Sequence, residues 1–162
     1  MPMPQSVRRA TRPPKWRRNE TVSYTNTFIT VADDCPTPVG IVPPVRGDKP
    51  SIAVLQYELL SQNPYKHTER ELIMIVHVTR LGLTPPEVKA RGKAIYAELF
   101  AKPHPCLRAS PLTKQYGWGA HYDGAGRIAI HAKGSAEYTA LASGMGAAAV
   151  VLKAMRNKRA GT

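Results

Sequence analysis

Two cysteines, two phenylalanines and two tryptophans stand in 162 residues, and acids are outnumbered two to one by bases. Cys35 and Cys106 form no CxxC pair, so thioredoxin-type chemistry and a four-cysteine zinc site lack their ligands. No apolar run approaches the roughly 20 residues that cross a bilayer. The opening MPMPQSVRRATRPPKWRR lacks the apolar core of a secretory signal, and its prolines oppose an amphipathic presequence helix. The expectation is a cytoplasmic protein without a membrane span. GxGxxG, Walker, HExxH and GxSxG patterns are all missing, so no motif calls for a cofactor or a metal.

What is present in excess is positive charge, 23 Lys+Arg against 11 Asp+Glu for a formal +12. Its position matters more than its sum. Residues 1–20 carry +5, the last ten carry +4, and the 132 residues between them carry only +3. Residues 1–21 read as a disordered Pro/Arg-rich arm, 22–156 as one domain, and 157–162 as a basic tail. Basic termini suit nucleic acid or another polyanion, with steep salt dependence, or serve as solvated tails.

Between the termini the pattern is α+β. SYTNTFITVA (23–32) reads as a strand, and the five prolines of 36–50 make an irregular loop. Ser51 caps a helix to about Ser61. Thr68-Glu69-Arg70-Glu71 is a capping box for a second helix ending at Gly82. Thr84-Pro85-Pro86-Glu87 heads a third, to about Lys102, with Gly92 open to a close neighbour. Residues 114–123 and 127–133 form a hairpin, Ser135 caps a short helix, and 147–156 is a closing strand. The expected architecture is an antiparallel sheet with three to four helices packed on one face.

The hairpin sorts its side chains by parity. A two- or four-residue loop pairs Tyr122 with Arg127. One face then shows Tyr116, Trp118, Tyr122, Arg127, His131 and Lys133, a surface for stacking and phosphate contact. The other shows Gly117, Gly119, His121, Ile128, Ile130 and Ala132, small and apolar enough for helices. A three-residue loop would change the parity and undo the assignment.

The densest polar cluster is residues 105–121. Arg108 offers a planar fork for an anion, Ser110 and Lys114 add donors, and Tyr116, Trp118 and His121 supply an aromatic wall. These six residues are the candidate site for a small anionic or aromatic ligand; the competing reading is a connection whose Arg108 bonds to carbonyls. A second function is nucleic-acid association through the basic termini and the aromatic hairpin face. A third is an enzyme using Cys106, activated by His104 or His121, or His121 itself. Asp33-Asp34 reads as an acidic turn rather than a metal site, and His77 as a core histidine. The Leu81–Thr84 linker, followed by Lys89, Arg91 and Lys93, fits a helix-turn-helix but equally an ordinary helical hairpin.

From Tyr24 onward the chain resembles a family of small, functionally uncharacterised, mainly bacterial proteins. The resemblance rests on TNTFITVADDCP, IVPPVRGDKPSIAVLQYELLSQNPY, CLRASPLTKQYGWGAH and KAMRNKRA, about 130 residues in order. It implies a cytoplasmic single domain and supplies no substrate, cofactor or catalytic residue.

Overall fold

The computed structural model describes residues 24–158; the expected arm at 1–21 and the tail beyond 158 lie outside the described residues. The helices start where side chains can satisfy their first backbone N–H groups. Ser51 accepts from Val54 N and opens α1 (Ile52–Gln62). Thr68 and Glu71 form a reciprocal capping box on α2 (Glu69–Arg80), and Thr84 and Glu87 repeat it on α3 (Pro85–Leu99). Ser110 caps the one-turn α4 (Pro111–Lys114), which follows a 3-10 turn at Leu107–Ala109, and Ser135 caps α5 (Ala136–Ala142). Gly82 and Gly144, both in the left-handed region, end α2 and α5. Among the described residues no helix is long and apolar enough to cross a membrane.

Four strands, β1 (Thr27–Thr30), β2 (Trp118–Tyr122), β3 (Ile128–Ala132) and β4 (Val150–Lys153), form one sheet in the order β3-β2-β1-β4. The α+β expectation holds. The sheet, however, is mixed rather than antiparallel, because β4 returns beside β1 in the parallel sense. Helix α5 makes this possible, since a parallel neighbour needs a crossover rather than a hairpin.

Both sheet faces are covered, not one. Ile29, Ala120, Tyr122 and Ile128 point to one side and pack with Leu60 of α1 and Leu72 and Val76 of α2. Phe28, which alternates with Ile29, points the other way and packs with Tyr138 and Leu141 of α5. Phe28 and Tyr138 meet edge to face at 5.2 Å.

The β2–β3 register corrects the parity reading. Tyr122 pairs with Ile128, so the loop 123–127 holds five residues. Asp123 builds it, its Oδ1 accepting from Ala125 N and Arg127 N at 2.9 Å, while Gly126 takes a positive φ. Trp118 and Tyr122 therefore share a face with Ile128, Ile130 and Ala132, and His121 shares one with His131. The aromatic and basic hairpin surface expected from the sequence does not exist. Gly92 also differs from expectation. Nothing lies within 4 Å of where its Cβ would be, so α3 presents open space there rather than a close neighbour.

Asp33-Asp34 is an acidic turn with a structural duty. Asp34 accepts from the backbone N–H groups of Asn157 and Lys158 at 2.9 Å, and Asp33 meets Lys153 Nζ at 3.2 Å. Those backbone bonds hold the Asp34 carboxyl down to about 2. Asp34 is thus one of the anchors of the C-terminal strap, beside Asn157 Nδ2 on Lys114 O and Met155 N on Arg108 O. Asp34→Asn is expected to speed tryptic cleavage at Arg156 in the otherwise folded protein; cleavage at the wild-type rate would contradict the docking role.

Candidate functional site

The six residues singled out in 105–121 do not converge on one opening. Arg108 Nε donates to Lys153 O at 2.9 Å, and Arg108 O accepts from Met155 N at 2.8 Å, so this residue ties β4 to the 3-10 turn. Ser110 is buried, donating to Gln56 Oε1 at 2.5 Å and capping α4. Lys114 O accepts from Asn157 Nδ2, and Tyr116 O from Ile41 N. Trp118 lies on Tyr57 with ring centres 5.2 Å apart, its Nε1 donating to Ile41 O at 2.7 Å. His121 points to the opposite sheet face from Trp118. Protein groups thus already take up Arg108 Nε, the Ser110 hydroxyl and Trp118 Nε1.

Cys106 is half-buried, and neither expected imidazole bonds to it. His104 Nε2 is held by Leu99 O at 2.5 Å. The Cys106 partner is the Tyr24 hydroxyl, at 3.4 Å, whose pKa burial and then the thiol push up to about 12. Beneath this pair lies Glu69, the first residue of α2 and only 2 % exposed. Tyr122 donates to its carboxylate at 2.5 Å, and burial pushes the Glu69 pKa up to about 7 against the opposing hydrogen bonds from Tyr122 and Leu107 N–H. The sequence placed Tyr122 on a stacking face and Glu69 in a capping box, and neither as half of a buried pair. Glu69 sits inside a capping box, where an acid is unremarkable at the first turn.

On the other face, the Tyr65 hydroxyl lies 2.7 Å from His121 Nδ1 and 3.2 Å from His131 Nε2. His121 is 5 % exposed, and among the described residues its Nε2 has no partner. Burial lowers the pKa of both histidines; His131 adds to the effect on His121, while Asp123 opposes it. Both imidazoles are therefore neutral at pH 7. Among the described residues no group of three or more His, Cys, Asp or Glu is placed to hold a metal ion.

A cavity lies elsewhere, between the start of α1, the second half of α2 and the end of α3. It is an open cleft of about 760 Å³, in the range of small-molecule sites. Its walls are apolar, from Ile52, Ile73, Val76, Leu81 and Leu99. Its charged and titratable lining is of one kind: Lys49, His77, Arg80 and His104, with no Asp or Glu. Neither Lys49 nor Arg80 makes an ion pair among the described residues. Since a carbonyl only accepts, the Leu99 contact places a hydrogen on His104 Nε2 and leaves Nδ1 as the free nitrogen. Ser110 reaches the cleft indirectly, by orienting the Gln56 amide in its wall.

The sequence signal for this cleft was weak. Lys49, Arg80 and His104 are spread over 56 positions, and only the packing of α1 against α2 brings them to one rim. No curated protein and no solved structure matches the chain. A family model covers residues 19–160, which include the whole of the described structure, and the chain belongs to that family, one of unknown function (DUF6157).

Proposed function

We propose that the protein binds a small organic anion with an apolar body, a carboxylate or phosphate head on a short alkyl or aromatic group. The site is the cleft between α1, α2 and α3. This keeps the ligand class expected from the sequence and centres it beside residues 105–121 rather than within them. The observation that carries the reading is the pairing of apolar walls with a lining whose charged and titratable groups are all basic. Such a lining concentrates anions, and apolar walls reward a hydrocarbon body. Arg80 supplies a planar fork and Lys49 a mobile point charge for the head.

Calorimetric titration with octanoate, octyl phosphate and octylamine tests the proposal. At least one of the two anions is expected to bind saturably and the matched amine not to bind. The double variant Lys49→Gln, Arg80→Gln is expected to weaken the anion about tenfold or more, the scale of one lost charge-assisted contact. Equal binding of the amine, no binding of either anion, or an unaffected double variant would overturn the reading.

A further inference from the structure

Residues 63–67 join α1 to α2 and lie against the start of β3. Tyr65 N donates to Ile128 O and Ile128 N donates to His67 O, both at 2.9 Å, and Thr68 pairs with Arg127. In this segment Tyr65 adopts φ +55°, a left-handed backbone that a bulky side chain takes only when its surroundings enforce it. Its backbone N–H is held by Ile128 O and its hydroxyl is inserted between His121 and His131.

The direction of those bonds follows from burial. A buried N–H without an acceptor is costlier than a spare lone pair, so the unpartnered Nε2 of His121 is the bare nitrogen and Nδ1 carries the hydrogen. His121 Nδ1–H then donates to Tyr65, and Tyr65 O–H donates to His131 Nε2. A first proton, taken at His131 Nε2, turns that acceptor into a donor. The chain must run backwards, and His121 is left with a buried, unpartnered N–H. A second proton leaves the hydroxyl with two donors and no acceptor, and puts a charge beneath Phe28. The groups facing the pair are Asp123 at the end of β2 and Glu137 and Tyr138 on α5; β1 contributes only the Phe28 ring.

We propose that residues 63–67 form an acid-released latch, in which protonation of the His121–His131 pair frees Tyr65 and lets the segment leave the edge of β3. The carboxylates of Asp123 and Glu137 favour proton uptake and burial opposes it, so release falls below the ordinary imidazole value of about 6.5. Sign and structure agree. The unfolded or released state holds the protons more readily, so the latched state loses stability as pH falls. Because the segment joins two of the three helices that wall the cleft, its release also loosens that wall; this last consequence rests on the ligand reading.

Amide hydrogen exchange, corrected for intrinsic rate and read without any ligand, tests the latch. Protection at Tyr65 and Ile128 is expected to fall about tenfold or more between pH 7.5 and 5, a cost of about one buried unsatisfied donor. Ala120, in the central strands, keeps its protection. In Tyr65→Phe the two amides are weakly protected at every pH. In His131→Gln, which keeps an acceptor but takes no proton, the pH step shrinks. Constant protection of the wild type from pH 7.5 to 5, or a step of unchanged size in both variants, would overturn the proposal. Failure of anion binding with the step intact would remove only the ligand reading.

Discussion

Gly117→Ala is expected to lower the free energy of unfolding by about 2–4 kcal/mol, measured by urea denaturation. Two independent costs meet at this position. Gly117 sits at φ +79°, where a Cβ is strained by about 1 kcal/mol. That Cβ would also lie 2.5 Å from Val39 O and 2.9 Å from Val39 C, which are backbone atoms and cannot rotate away. Overpacking of this kind costs roughly 1–3 kcal/mol. Loop 37–41 is fixed there by Thr37 Oγ1 on Gln115 O, Ile41 N on Tyr116 O and Trp118 Nε1 on Ile41 O, so yielding would break bonds on both sides. Gly92→Ala is the control. Its Cβ meets nothing, it lies inside α3, and it should stabilise by about 0.5–1 kcal/mol. A Gly117→Ala protein as stable as wild type would mean that loop 37–41 does not hold the position described.

Glu69→Gln is expected to remove most of a pH dependence worth about 3 kcal/mol, from the 1.36 kcal/mol carried by each pKa unit. The folded carboxyl titrates at about 7, against 4.5 as its ordinary value. The native state therefore binds more protons between those values, and this contribution is full below pH 4.5 and is lost as pH rises to 7. The two buried histidines act in the opposite sense below 6.5, so the wild-type curve is the difference of two slopes. The variant exposes the histidine slope alone. Denaturation midpoints at pH 5 and pH 8, compared between wild type and Glu69→Gln, give the result directly. An unchanged difference between the two pH values would exclude Glu69 as its source. Glu69→Ala goes further and strands the Tyr122 hydroxyl and Leu107 N–H beside a new cavity, for a loss of about 3–5 kcal/mol at any pH.

The helix starts were legible because their causes are local. Ser51, Thr68, Thr84 and Ser135 each cap a helix within three residues of themselves, and a short window contains the whole argument. The hairpin was legible as a hairpin but not in its faces. One extra loop residue, organised by the Asp123 carboxylate, reversed every side chain of one strand relative to the other. The parallel β4 was not legible, since strand direction depends on how α5 crosses the sheet. For the site the limit was different again. Arg108, Ser110 and Trp118 have the chemistry of ligand-binding groups, and the sequence does not reveal that Lys153, Gln56 and Ile41 already occupy them. The His121–Tyr65 contact spans 56 positions and Glu69–Tyr122 spans 53, separations at which only the folded chain decides who meets whom.

The strand order β3-β2-β1-β4 has a consequence for synthesis. The strand at the middle of the sheet is made first, and both of its neighbours are made late, at Trp118–Tyr122 and Val150–Lys153. While the chain emerges from the ribosome, Phe28 and Ile29 wait with no strand to pair with and no helix α5 to cover them. Closing those loops is a modest entropic cost but a slow search. Phe28 and Ile29 are thus apolar groups prone to wrong contacts during translation, and only once β2, α5 and β4 have been made are both fully buried.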